Sequence, residues 1–177
     1  MMRQKRSAIV IAKENASGSR SPRPRAIRVR GARGADRTFV LETAARLAAF
    51  GPPPWRTSEE VIEGEARTLR DFFESADDGS RLLIAETGNE RLGFALLEEL
   101  RDYFTLERHG HVGILAVTEG AEGRGAAGAL IRAAEGWARD RHYRILTLNV
   151  FSGNQHAREV YEHLGFVTDT VKYIKAV

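Results

Sequence analysis

Three glycines stand close together in Gly123-Arg124-Gly125-Ala126-Ala127-Gly128. An apolar run at 111–117 precedes them, and a run at 126–139 with helical spacing of its apolar residues follows. Small residues at the start of a helix leave backbone N–H groups uncovered, and such groups bind phosphate. The chemistry expected here is recognition of a phosphorylated cofactor. Read literally, Gly123-x-Gly125-x-x-Gly128 is a dinucleotide fingerprint. That reading requires an acid about 20 positions on, at the end of the next strand, and 144–150 contains none. A P-loop requires Lys-Ser/Thr after Gly128, where Ala129-Leu130 stand instead. A second cluster, His109-x-His111, lacks a clear third ligand, so no metal is expected. Neither Gly-x-Ser-x-Gly nor His-Glu-x-x-His occurs.

The elements that must position these residues can be traced along the chain. Residues 26–30 alternate and read as a strand, and 36–50 and 59–75 carry apolar residues at helical spacing. Between those helices lies a stiff loop, Gly51-Pro52-Pro53-Pro54-Trp55-Arg56-Thr57. Strand-like runs at 81–86 and 91–100 flank Gly88-Asn89, a hairpin signal. A loop at 101–110 leads to a strand at 111–117, in which Gly113 marks a bulge or a close backbone approach. After the glycine turn come a helix at 126–139, a strand at 144–151, a helix at 154–164 and a last strand within 166–174. The order is β-α-α-β-β-β-α-β-α-β, which argues for a mixed sheet carrying helices. Trp137 falls on the buried stripe of its helix and reads as core.

The bulk properties bound this picture. A chain of 177 residues suits one domain of ordinary size. It has no cysteine, which excludes disulfides, cysteine metal sites and a cysteine nucleophile. The net charge of +3 divides unevenly: residues 1–30 carry +8 and the remainder −5. Residues 1–25 are basic and rich in Ser, Pro and Arg, so they read as a disordered tail ahead of a domain at 26–177. No apolar stretch approaches a membrane span, and the expected location is the cytoplasm.

A longer window carries a resemblance. Leu115-Ala116-Val117 precedes the glycine turn. About 25 residues beyond it comes Leu148-Asn149-Val150-Phe151-Ser152-Gly153-Asn154-Gln155-His156-Ala157, then Tyr161 and Gly165-Phe166. Together, in this order, these segments resemble the GCN5-related N-acetyltransferase (GNAT) superfamily over residues 26–174. The resemblance implies an α/β (α+β) fold with a mixed, mostly antiparallel central sheet flanked by helices. It implies acetyl-CoA as cofactor and acetyl donor, its pyrophosphate cradled by the turn Glu122 to Ala127. The cofactor-binding set it implies is Leu115, Ala116, Val117, Glu122, Gly123, Arg124, Gly125, Ala126, Ala127, Gly128, Asn154, Ala157, Arg158 and Tyr161.

The same resemblance implies that the strands before and after the turn splay, so that the pantetheine arm lies along the opening like an added strand. It places Tyr161 near the cofactor sulfur, where a phenol can protonate the departing thiolate. Asn154 can cap its helix and also bond the pantetheine amide. Glu122 departs from the pattern, which has Gln or Arg there. A carboxylate beside a pyrophosphate is repulsive unless it points away, so Glu122 is expected to contribute only its backbone, with Arg124 supplying positive charge.

Acetyl transfer to an amine requires that the amine lose a proton before it attacks. The candidate bases are Glu98, Glu99 and Glu119, at strand ends. Direct attack in a ternary complex is expected, with backbone N–H groups near Val117 stabilising the oxyanion. Trp55, Tyr103 and Phe104 are expected to wall an acceptor pocket. The expected partner is an amine, a small molecule or a peptide N-terminus. Neither membrane nor nucleic acid is expected, and a homodimer is an open expectation. A non-catalytic CoA-binding protein, and a nucleic-acid-associated protein using the basic head, are the competing readings.

Overall fold

The structure is a computed structural model that describes residues 26–49, 51–75 and 77–175. The tail read at 1–25 lies outside the described residues. Five strands form one sheet in sequential order: β1 (Arg28–Gly31), β2 (Arg81–Thr87), β3 (Glu90–Arg101), β4 (Arg108–Val117) and β5 (Leu146–Leu148). The first three pairings are antiparallel, and β4–β5 is parallel. The sheet is therefore mixed and mostly antiparallel, as expected. The parallel step needs a crossover, which the helix following the glycine turn supplies.

Helices cover both faces. On one side lie α1 (Arg37–Ala44), continued by a 3-10 turn at Ala45–Ala48, and α2 (Ser58–Ser75). Val40, Ala44 and Leu69 pack there on Leu82, Ile84, Phe94, Leu96, Ile114 and Ala116. On the other side α3 (Ala126–Asp140) lays Leu130, Ile131, Ala134 and Trp137 on Leu83, Ala85, Leu97 and Val112. Adjacent β3 residues thus serve opposite layers, as the pleat dictates. Each fully buried leucine in these layers contributes roughly 1.5–3 kcal/mol. Trp137 is core, as expected, with Arg141 stacked 5.0 Å from its ring centroid.

Local chemistry sets the helix ends. Thr57 and Glu60 form a reciprocal capping box that starts α2: Glu60 N–H donates to Thr57 Oγ1 at 3.1 Å and Thr57 N–H to Glu60 Oε2 at 2.8 Å. Asn154 caps α4 (Gln155–His163), its Oδ1 accepting from Ala157 N–H at 3.1 Å. Gly165, at φ +90°, ends α4, with Phe166 N–H returning to the Tyr161 carbonyl at 3.0 Å.

Three expectations need correction. The last strand read within 166–174 is absent among the described residues: 166–175 forms no ladder, and Val167 and Tyr173 stand 87% and 91% exposed. A strand needs a neighbouring edge in register as well as residues that can pair. The strand read at 144–151 shrinks to Leu146–Leu148, because only those residues meet β4. In the other direction, β4 begins at Arg108 rather than 111, which shortens the loop before it.

Candidate active site

The glycine turn forms as an open N-terminus of α3. Gly123 and Gly125 both adopt left-handed backbone, at φ +70° and +86°, and Gly125 is the cap residue. Nothing lies within 4 Å of where a Cβ would stand on either. The first bond into the helix is Ala129 N–H to the Gly125 carbonyl at 3.0 Å. The N–H groups of Gly125, Ala126, Ala127 and Gly128 therefore have no acceptor among the described residues. This is a set of aligned donors at the positive end of a helix dipole, facing open space. A phosphorylated ligand fits it, because these N–H donors are aligned and without acceptors at the start of α3.

Beside the turn the sheet splits. The β4–β5 ladder joins only Gly110–Leu146, His111–Thr147 and Val112–Leu148. From Gly113 to Val117 the same edge of β4 has no strand against it among the described residues. The expected splay is thus present, and it runs along Leu115, Ala116 and Val117 to the glycine turn. Leu164, just after α4, reaches within 3.6 Å of the Gly128 Cβ position, which brings the end of that helix against the start of α3. Asn154, Ala157, Arg158 and Tyr161 lie on or at the start of that helix and are partly buried. The Tyr161 ring packs edge-on against Phe166 at 5.9 Å. Burial pushes its phenol pKa up, so Tyr161 holds its proton through the neutral range.

The splay begins at a bulge. Leu97 pairs with Val112 and Leu96 with Ile114, so Gly113 is an extra residue in β4. A Cβ on Gly113 would stand 2.3 Å from Glu98 Oε2. Glu98 can lie over the bulge only because residue 113 has no side chain. Directly across the ladder from Glu98 is His111, so the two share a face of the sheet. His111 Nδ1 lies 2.8 Å from Thr147 Oγ1. Burial, with His109 nearby, lowers the His111 pKa, which keeps the imidazole neutral at pH 7.

This face belongs to α2. Glu65 falls in the stripe Val61, Glu65, Leu69 that α2 turns to the sheet. Burial and the facing Glu98 carboxylate raise the Glu65 pKa, while burial and Asp77 raise that of Glu98. Neither carboxylate has an ion pair or hydrogen bond among the described residues. Sequence reasoning missed Glu65, although a lone acid at i+4 in an apolar stripe was a visible signal. It also weighed His111 only as a metal ligand.

The other two candidate bases are engaged elsewhere. Glu99, one residue on, points to the opposite face, where it accepts from the Tyr143 hydroxyl and pairs with Arg108 at 3.0 Å. Glu119 is 88% exposed and lies 3.7 Å from Arg46. Arg124 donates N–H from Nη1 and Nη2 to the Glu90 carboxylate, at 2.8 and 3.0 Å, so its charge faces the β2–β3 hairpin. The Glu122 carboxylate pairs with Arg46. Trp55 is half-exposed on its loop, and Tyr103 and Phe104 stack edge-on upon each other at the β3–β4 hairpin tip. No ring contact among the described residues joins Trp55 to that pair.

A phosphate-ready glycine turn beside a split parallel pair narrows the choice of family, and sequence comparison decides it. The profile of the acetyltransferase (GNAT) family matches residues 42–166. The chain belongs to the GNAT family. That span runs from within α1 to Phe166, three residues past α4, and so includes the glycine turn, the split edge of β4 and α4. Among curated relatives, the chain is 34% identical to the uncharacterized N-acetyltransferase YhfO of Bacillus subtilis (strain 168) over 109 residues, 62% of this chain and 72% of that one. Two solved structures of N-acetyltransferases share the fold. The aminoglycoside N-acetyltransferase AAC(6')-Iy, in complex with CoA, superposes with a TM-score of 0.68 at 19% identity, over 88% of this chain and 98% of that one. The ribosomal-protein-alanine N-acetyltransferase of Brucella melitensis biovar Abortus 2308 gives 0.64 at 22% identity, over 86% of this chain and all of that one (100%). The glycines that read literally as a dinucleotide fingerprint lie within the span matched to the GNAT family. Among the described residues, no helix is long and apolar enough to cross a membrane.

Proposed function

We propose that this GNAT protein transfers an acetyl group from acetyl-CoA to a primary amine by direct attack in a ternary complex. The observation that supports it most is the open α3 N-terminus set beside the unpaired edge of β4. The N–H groups of 125–128 would hold the pyrophosphate, and the β4 edge from Gly113 to Val117 would pair with the extended arm. Bound there, acetyl-CoA supplies the thioester carbonyl that the amine attacks.

The protein's own groups divide the proton work. Glu98 Oε2, over the Gly113 bulge, takes the proton from the acceptor ammonium. Its raised pKa brings it closer to the working pH than an ordinary carboxylate. Glu65 adds a second negative charge on that face, which favours a cationic acceptor. Tyr161 gives its proton to the leaving sulfur, and the excess proton remaining on the nitrogen of the new amide returns to the Tyr161 oxygen, so that the amide and the CoA thiol form and Glu98 holds the one proton released. With no cysteine in the chain, no acetyl-cysteine can form.

Thermal shift against acetyl-CoA and NAD tests the cofactor. A ligand at 100 times its Kd adds about 2.7 kcal/mol of stability, which is several degrees for a domain of this size. Acetyl-CoA should give that shift and NAD none. Stabilisation by NAD alone would overturn the proposal.

A further inference from the structure

Glu122 sits at the head of the glycine turn, where a carboxylate opposes the anion that the turn is built to receive. Its charge is met from a distant part of the chain. Arg46, in the 3-10 turn after α1, donates Nε–H to the Val117 carbonyl at 3.0 Å and pairs through Nη2 with Glu122. Nη1 of the same guanidinium lies 3.7 Å from Glu119. One planar fork therefore grips the last residue of β4 and the carboxylates on either side of the tight turn that follows. Arg124, the nearer cation, is committed to Glu90 and to the Gly120 carbonyl.

We propose that Arg46 is a positioning residue for the cofactor turn, holding the Glu122 carboxylate away from the α3 N-terminus so that the N–H groups of 125–128 stay open to an anion. The proposal rests on the reading of that turn as the site for the pyrophosphate of acetyl-CoA. Without Arg46, Glu122 carries an unscreened charge beside the donors. It can then repel an incoming phosphate or swing in and accept from those N–H groups itself.

The double-mutant cycle of Arg46→Met and Glu122→Gln tests this, read as CoA affinity by calorimetry with the ligand-free melting temperature of each variant alongside. Arg46→Met in the otherwise wild-type chain should weaken CoA about three- to tenfold at low salt, and less at high salt. The same change made on top of Glu122→Gln should alter affinity less than about twofold, because no carboxylate remains to be held. Equal losses in both backgrounds would mean that Arg46 acts on the ligand or on the fold alone, and no loss in either would mean that it does nothing for the turn. Both results overturn the proposal. Wild-type protein that fails to bind CoA overturns the cofactor reading with it, whereas a binding wild type with either of those cycles overturns the Arg46 role only. If Arg46→Met does not fold, Arg46→Gln, which keeps a donor for the Val117 carbonyl, goes through the same cycle.

Discussion

Glu98→Gln removes one proton acceptor while keeping the volume of the side chain. General-base catalysis contributes about 10²- to 10⁴-fold in rate. Glu98 is only partly buried, so water can reach the amine in its place, and the loss in kcat should lie near the lower end, about 100-fold. The pH behaviour is the sharper signature. In wild-type protein, turnover should fall on the acid side through a pKa above the usual carboxylate range, because burial and Asp77 raise it. The glutamine variant should lose that limb. Stability should move in the opposite sense to activity. The unfolded chain releases this proton at about pH 4.3 and the folded chain at a higher pH, so the folded state binds more protons in between. Stability from this group is therefore lost as pH rises through that window, and the charged carboxylate is a liability at neutral pH. The variant should melt roughly 1–3 °C higher than wild type at about pH 8 and no higher at about pH 4. The assay is steady-state CoA release from about pH 4.5 to 9.5 with both substrates saturating, with thermal melts at the two pH values. A kcat within about threefold of wild type, with the acid limb unchanged, would refute Glu98 as the base.

Three further outcomes follow from the geometry. Gly113→Ala should displace Glu98, since the new methyl would stand 2.3 Å from Oε2, and turnover should drop at least tenfold with acetyl-CoA affinity held within a few-fold; unchanged turnover would detach the bulge from the chemistry. Tyr161→Phe should lower kcat without moving the acetyl-CoA Kd, and an equal rate would reduce Tyr161 to its packing against Phe166. Asp36, 3% exposed and bonded to Arg30 at 2.7 and 3.0 Å, should cost about 3 kcal/mol on change to Asn. The Arg30 partner lowers the Asp36 pKa, so the stability it brings is present above the ordinary value and lost as pH falls through the lowered one; denaturant melts between about pH 2 and 7 should show wild type and variant converging in acid.

Local signals in the chain carried much of the site. Small residues at 123–128 announce an open helix start, Asn154 announces a cap, and both behave so in the fold. The features that escaped depend on contacts between distant residues. Whether Glu98 or Glu99 faces α2 depends on the sheet register, and the bulge at Gly113 that brings Oε2 over β4 appears only once β3 and β4 are paired. Arg46 and Glu122 are 76 positions apart, so their pairing had no local trace. The run at 166–174 shows the converse: it was expected to hold a last strand, yet no edge receives it among the described residues.

The central claim is that the open α3 turn and the split edge of β4 serve acetyl transfer to an amine. Incubation with acetyl-CoA and a panel of cationic primary amines, followed by thiol titration and mass spectrometry of the amine, tests it directly. The account predicts one CoA thiol released for each N-acetylated amine formed, with at least one acceptor in the panel. Acetyl-CoA that binds but is neither consumed nor transferred to any amine would contradict it, as would CoA release with no acetylated product.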